Sequence, residues 1–229
     1  MQILIDKRLP EEAKRKLAEY GEAICFETSG ITVVPLSGHP DIFFCQAGNS
    51  LIASPDIPEK YKRILEEKKI HCVYGKSPMG IEYPFCAHFN AVATEKFLIH
   101  NLSFTDDEVL KSALGKKKIN VKQGFTRCSL LMLDEQNFIT SDEGIFKTLE
   151  NEGLHGLCVS PKEVVLPGYK HGLFAGACGV CGKELFICGS LNYFNQGNEI
   201  KSFAESLNYS IVELYNGPLF DGGGILFLN

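Results

Sequence analysis

No stretch of the sequence approaches the ~18 uninterrupted apolar residues that a membrane-spanning helix needs, so no membrane association is expected. The opening residues, MQILIDKRLPEE, lack a basic stretch followed by an apolar run, which removes support for a secretory leader. Basic charge is scarce too. The 23 Lys and Arg stand against 28 Asp and Glu, a formal charge of −5, whereas gripping nucleic-acid phosphates takes a concentrated basic surface. The one basic cluster, Lys116-Lys117-Lys118, follows a predicted helix and reads as a solvated end that complements the helix dipole. Cys178 and Cys181 form a CxxC with no second CxxC or HxxxH to complete a zinc site, so no metal and no cofactor is expected. The 9 cysteines are odd in number, in a chain too large to need disulfide staples. They read as reduced thiols, which makes the cytoplasm the expected compartment.

What is present points to a chain folded throughout: 45% hydrophobic and 22% charged residues are ordinary values for a folded domain. One domain over residues 1–229 is expected. Near Pro10, Pro58, Asp106, Asp142 and Asn198 a turn or capping residue precedes acidic or apolar residues at helical spacing. Five helices are predicted, with apolar stripes such as Ala13 and Leu17, Tyr61 and Leu65, or Ile200 and Phe203. Each helix runs into a short β-like stretch: Ala23 to Phe26, Ile70 to Tyr74, Ile119 to Val121, Gly156 to Val159, Ser210 to Leu214. Before four helices lies a hairpin-like pair: Ile42 to Cys45 with Leu51 to Ala53, His88 to Ala93 with Phe97 to His100, Ser129 to Leu133 with Phe138 to Thr140, and Ala177 to Cys181 with Leu185 to Cys188.

The repeated unit is therefore strand, strand, helix, strand. The first helix has only Gln2 to Ile5 before it, and Gly224 to Leu228 is left over at the end. The two termini complete a fifth unit together, which closes a ring and protects edge strands. A doubly wound sheet is the competing α/β reading. It is disfavoured because no phosphate-binding Gly-rich turn follows the first strand.

These residues resemble the pentein, or guanidine-modifying, superfamily. The local pieces are Pro40-Asp41-Ile42-Phe43-Phe44, Leu173-Phe174-Ala175-Gly176-Ala177-Cys178 leading to Leu185-Phe186-Ile187-Cys188-Gly189, and Phe220-Asp221-Gly222-Gly223. They are similar to parts of dimethylarginine dimethylaminohydrolases and their arginine-processing relatives, and suggest a bacterial branch. The resemblance implies an α/β fold: a five-bladed α/β propeller of strand-strand-helix-strand units, closed by the N- and C-terminal strands. It also implies a guanidino-type ligand. Enzymes of the superfamily attack the guanidinium carbon with a cysteine of the last strand, helped by a histidine, and hold the cation with carboxylates. Here the last strand reads Gly224-Ile225-Leu226-Phe227-Leu228, without cysteine, and Cys45-Gln46 stands where an acidic pair is expected. His171 lies near the family's histidine. Other members, including a ribosome anti-association factor, bind without catalysis.

The candidate catalytic residues are His171, on the loop Gly168 to Gly172, Cys178, His88 and Cys128. Arg127 is placed to lower the Cys128 pKa. Alternation along a strand puts His88 and Asn90 on one face. The candidate ligand-binding residues are Asp41, Asn90, Arg127, Asp221 and Gly222, the last opening a three-glycine run that allows close backbone approach. His39, His71, His100 and His155 are read as structural. The preferred function is non-catalytic binding of a small polar ligand or partner at the central pore. The alternative is a thiol-dependent hydrolase or transferase acting on a guanidino or related C–N bond. No oligomeric state is indicated.

Overall fold

The computed structural model describes residues 1–228. Asn229, the end of the expected domain, lies outside the described residues. The five predicted helices are present: Glu11–Leu17, Glu59–Glu67, Asp107–Ser112, Glu143–Asn151 and Gly197–Ser206. Their starts follow from local chemistry. Pro10 and Pro58 enter the first two, while the Asp106 and Asp142 side chains accept from the backbone N–H groups of Glu108 and Ile145, each at 2.8 Å. Their exits turn through left-handed residues: Lys69 at φ 56°, Gly115 at 83°, Gly153 at 82° and Asn208 at 60°.

Each helix links a middle strand to an outer strand that runs parallel to it, and an inner strand lies antiparallel to the middle one. Inner, middle and outer strands are Phe44–Ala47, Ser50–Ala53 and Cys72–Tyr74 in one unit, and Val92–Ala93, Phe97–His100 and Lys117–Asn120 in the next. Leu130–Met132, Asn137–Thr140 and His155–Cys158 form another, and Cys178–Cys181, Glu184–Ile187 and Ser210–Glu213 a fourth. The fifth joins the termini. Leu226–Leu228 runs antiparallel to Gln2–Asp6, which pairs in parallel with Glu22–Phe26. The terminal pairing read from the sequence is therefore present, although the last strand begins at Leu226. Gly223 and Gly224 have φ of 70° and 78°, which an extended strand cannot continue through.

The inner strands are shorter than expected. Pro40–Phe43 and Thr126–Ser129 are single helical turns, Phe174–Ala177 is a 3₁₀ turn, and residues 88–90 lie outside any strand. The reason is register: an inner strand extends only as far as its middle partner, and Phe44 and Leu130 already pair with the last residues, Ala53 and Thr140. Lys117 and Lys118 also differ from expectation. They open an outer strand rather than end a helix, and Lys117 pairs with Glu152.

Helix faces such as Tyr61 with Leu65 and Ile145 with Leu149 cover the middle strands, where Leu51, Leu98, Phe138 and Leu185 are buried. Packing is tight enough to dictate glycine at one outer-strand position. A Cβ at Gly156 would sit 2.3 Å from Phe138 Cζ. Gly156→Ala is expected to lower stability by about 1–3 kcal/mol through overpacking, read from urea denaturation midpoints. Among the described residues, no helix is long and apolar enough to cross a membrane.

Candidate functional site

The turns that precede the inner strands converge, and they carry buried polar side chains. Asp41 is fully buried in the turn Pro40–Phe43, with its N–H on Gly223 O at 3.1 Å. Its Oδ2 accepts from Cys128 Sγ at 3.0 Å, whereas its Oδ1 has no hydrogen-bond partner. Asn90 ties the turns together. Its Nδ2 donates to Asp41 O at 2.9 Å and to Cys128 Sγ at 3.3 Å, and its Oδ1 accepts from the N–H groups of Arg127 and Cys128 at 2.7 and 3.3 Å. The half-buried Arg127 sends its guanidinium to the carbonyls of Ala175 and Cys178, at 3.1 and 3.3 Å.

Asp221 closes the arrangement from the chain's end. It accepts from Leu173 N at 2.8 Å and Gly223 N at 3.0 Å, and its Oδ1 lies 3.8 Å from His39 Nδ1. His39 is buried, and neither ring nitrogen has a hydrogen-bond partner. The glycine run makes room for this ring: a Cβ at Gly223 would come within 2.3 Å of His39 Cβ. Above these groups is a cavity of about 200 Å³. His39, Cys128 and Asp221 line it together with Leu36, Phe125 and Leu166, and His171 and the half-exposed Tyr169 also border it.

The electrostatics are those of carboxylates removed from water. Burial pushes the Asp41 carboxyl up to about 6, against the pull of the Arg127 guanidinium and the Cys128 hydrogen bond. Burial raises Asp221 as well, opposed by His39 and reinforced by Asp41. His39 is held below the usual imidazole range by burial, against the attraction of Asp221 and Asp6. Asp6 is already paired with Arg8, whose Nε donates to it at 3.0 Å.

The expected candidates divide sharply. Asp41, Asn90, Arg127, Cys128 and Asp221 come together, and His171 stands at the cavity, where its Nδ1 lies 2.8 Å from Gly172 O. Cys178 does not join them. It is fully buried in an apolar cluster, its thiol donates to Phe174 O at 3.2 Å, and burial raises its pKa far above the ordinary thiol value. His88 turns away, with Nδ1 2.6 Å from Phe104 O and its ring near Phe85, because the backbone at 88–90 is a turn and strand alternation does not apply. Gly222 faces Leu9 rather than the cavity; a Cβ there would meet Leu9 Cδ1 at 2.3 Å. Arg127 does not activate Cys128 either. Burial, followed by the charges of Asp41 and Asp221, pushes that thiol well above its ordinary pKa. His39 was missed. Its one legible signal is its place two residues before Asp41, next to Pro40.

His100 is structural, as expected. It is buried between Thr105 Oγ1 at 2.7 Å and Gly124 O at 2.9 Å, and burial lowers its pKa from 6.5 to about 4. A depressed value means that its contribution is present above pH ~6.5 and is lost as pH falls toward ~4. The loss between pH 7 and 5 is expected to be about 2 kcal/mol, and absent in His100→Gln, by guanidinium chloride unfolding.

The architecture is that of the pentein fold. An inosamine-phosphate amidinotransferase from Streptomyces griseus aligns over 97% of this chain and 81% of its own, with TM-score 0.58 and 12% identity. A dimethylarginine dimethylaminohydrolase from Pseudomonas aeruginosa, a mutant complexed with citrulline, aligns over 93% and 91%, with TM-score 0.54 and 10% identity. The agmatine deiminase of C. jejuni aligns over 93% and 86%, with TM-score 0.52 and 12% identity. At such identities the likeness is one of fold. By sequence, residues 4–226 match the family of unknown function DUF6873, and the chain belongs to that family. No curated protein matches it.

Proposed function

We propose that this protein binds, without turning over, a small ligand bearing a guanidinium or amidinium group, with its cationic head at the end of the cavity lined by Asp221, His39 and Cys128, directed at the Asp41 carboxylate behind Cys128. The observation that carries this reading is Asp41 Oδ1, a fully buried acceptor without a donor, on the carboxylate that accepts from Cys128 of the cavity wall. A buried carboxylate oxygen left unpaired is costly, and a planar cation rich in N–H groups removes the cost. Leu36, Phe125 and Leu166 supply apolar walls for the faces of such a group, and His171 and Tyr169 stand at the rim. Relatives in fold that include an amidinotransferase, an agmatine deiminase and a dimethylarginine dimethylaminohydrolase complexed with citrulline support the choice of ligand class. In this reading the five units close into one propeller, a single cytoplasmic domain over 1–229. A link from Gln46 Nε2 to Phe227 O at 2.7 Å, and one from Ile225 N to Cys178 O at 3.1 Å, support that closure.

A second reading keeps a thiol enzyme, with Cys128 as nucleophile. What favours it is proximity: the Cys128 sulfur, a His39 nitrogen and an Asp41 oxygen lie within 4.8 Å of one another. Against it, the thiol donates its proton to a carboxylate and is held far from ionisation. Product formation from arginine, agmatine and methylated arginines is therefore expected to be undetectable in citrulline, ammonia and urea assays. Turnover lost in Cys128→Ser but retained in Cys45→Ser would overturn the binding reading in favour of the enzyme.

A further inference from the structure

Three ligand chemistries meet where His39 and Cys128 line the cavity and Asp41 lies behind them: imidazole nitrogen, carboxylate oxygen and thiol sulfur, all within 4.8 Å of one another. The residues are 1%, 0% and 3% exposed. Both His39 ring nitrogens and Asp41 Oδ1 lack hydrogen-bond partners, which is rare for buried groups. A lone imidazole with no N–H acceptor and no donor to its lone pair is costly to bury. A metal ion would use these orphaned atoms directly.

We infer that His39, Asp41 and Cys128 form a three-ligand Zn²⁺ site whose fourth position opens onto the cavity. Mixed nitrogen, oxygen and sulfur donors suit zinc, whereas calcium and magnesium select oxygen alone. Zinc bonds of about 2.0–2.3 Å place tetrahedral ligand atoms roughly 3.5 Å apart, so closing the site takes side-chain shifts of about 1 Å. Cys128 Sγ and Asp41 Oδ2 are already 3.0 Å apart. Binding releases the Cys128 proton to solvent, and Zn²⁺ with one thiolate and one carboxylate is neutral. The surrounding groups fit as supports: Asn90 Nδ2, 3.3 Å from the sulfur, donates to a thiolate as well as to a thiol. Asp221 Oδ1, 3.8 Å from His39 Nδ1, is placed to orient the imidazole. The spacing of Cys178 and Cys181 could not reveal such a site, because its ligands come from two units and are 87 positions apart between Asp41 and Cys128.

Zinc and a guanidinium draw on the same Asp41 oxygen, so the two occupants exclude each other, and the metal site stands independently of the proposed ligand. The test is titration of chelator-stripped, full-length protein with Zn²⁺ by calorimetry and with Co²⁺ by absorption. One equivalent should bind, with proton release and a near-ultraviolet sulfur-to-cobalt band. Cys128→Ser should abolish the band, and His39→Gln should weaken Zn²⁺ by about 100-fold. Cys178→Ser and Cys181→Ser should leave both unchanged. No stoichiometric binding, a wild-type Co²⁺ complex without the sulfur band, or binding lost in Cys178→Ser would overturn the inference. The wild-type spectrum decides even if a variant fails to fold. Guanidino binding by the same stripped protein, without metal binding, would overturn the metal site alone.

Discussion

Asp41→Asn is expected to weaken binding of a guanidino ligand by about 100-fold, while leaving the unliganded protein at least as stable as wild type. The substitution keeps the volume, and the amide oxygen can still accept from Cys128. It removes the charge and places an N–H₂ group where the unpartnered oxygen now lies. A cation that met a carboxylate then meets a donor, and a hydrogen-bonded charge in a buried setting is worth roughly 2–3 kcal/mol. The unliganded protein meanwhile loses a desolvated carboxylate that lacks a full set of partners. Calorimetric titration and denaturant unfolding of the same two proteins separate the effects. A variant that binds normally would remove Asp41 from the site. His171→Asn, which alters only the rim, should weaken binding by tenfold at most.

The second large effect is on pH. Burial raises the Asp41 carboxyl from 3.8 to about 6. The folded protein thus holds this proton more tightly than the unfolded chain does. The stability it contributes is complete below pH ~3.8 and is lost as pH rises through ~6. The stability difference between wild type and Asp41→Asn should therefore shift in favour of wild type by about 2–3 kcal/mol between pH 7 and pH 4. His100 acts in the opposite direction over the same range, so the comparison with the variant is the informative one. Ligand binding needs the ionised carboxylate. Affinity should be level above pH ~7 and fall about tenfold per pH unit below ~6. An affinity unchanged between pH 7 and 5 would show that the cation does not rest on Asp41.

Much of the fold was legible because its signals are local. Pro10, Pro58, Asp106 and Asp142 mark helix starts by their own chemistry, and the left-handed exits at Gly115 and Gly153 fall at glycines. The incomplete units at the two ends implied their pairing. The residues of the buried polar cluster were legible where they shared the position before an inner strand, as Asp41, Arg127 and Cys128 do. What failed depended on long-range register. Alternation does not tell a strand from the turn found at residues 88–90, so the direction of His88 could not be read. The approach of His39 to Asp221 was illegible for the same reason: Asp221 reaches it from the far end of the chain. Cys178 stood out only because its CxxC spacing is local, and that spacing places it in an apolar core.

The most direct test of the account is a crystal structure of the metal-free protein grown with methylguanidine at pH 7. The account predicts the planar cation in the cavity beside His39, with an N–H group within hydrogen-bond distance of Asp41 Oδ1, about 2.7–3.0 Å. A cation seated elsewhere, or a cavity that stays free of it at saturating concentration, would contradict the account.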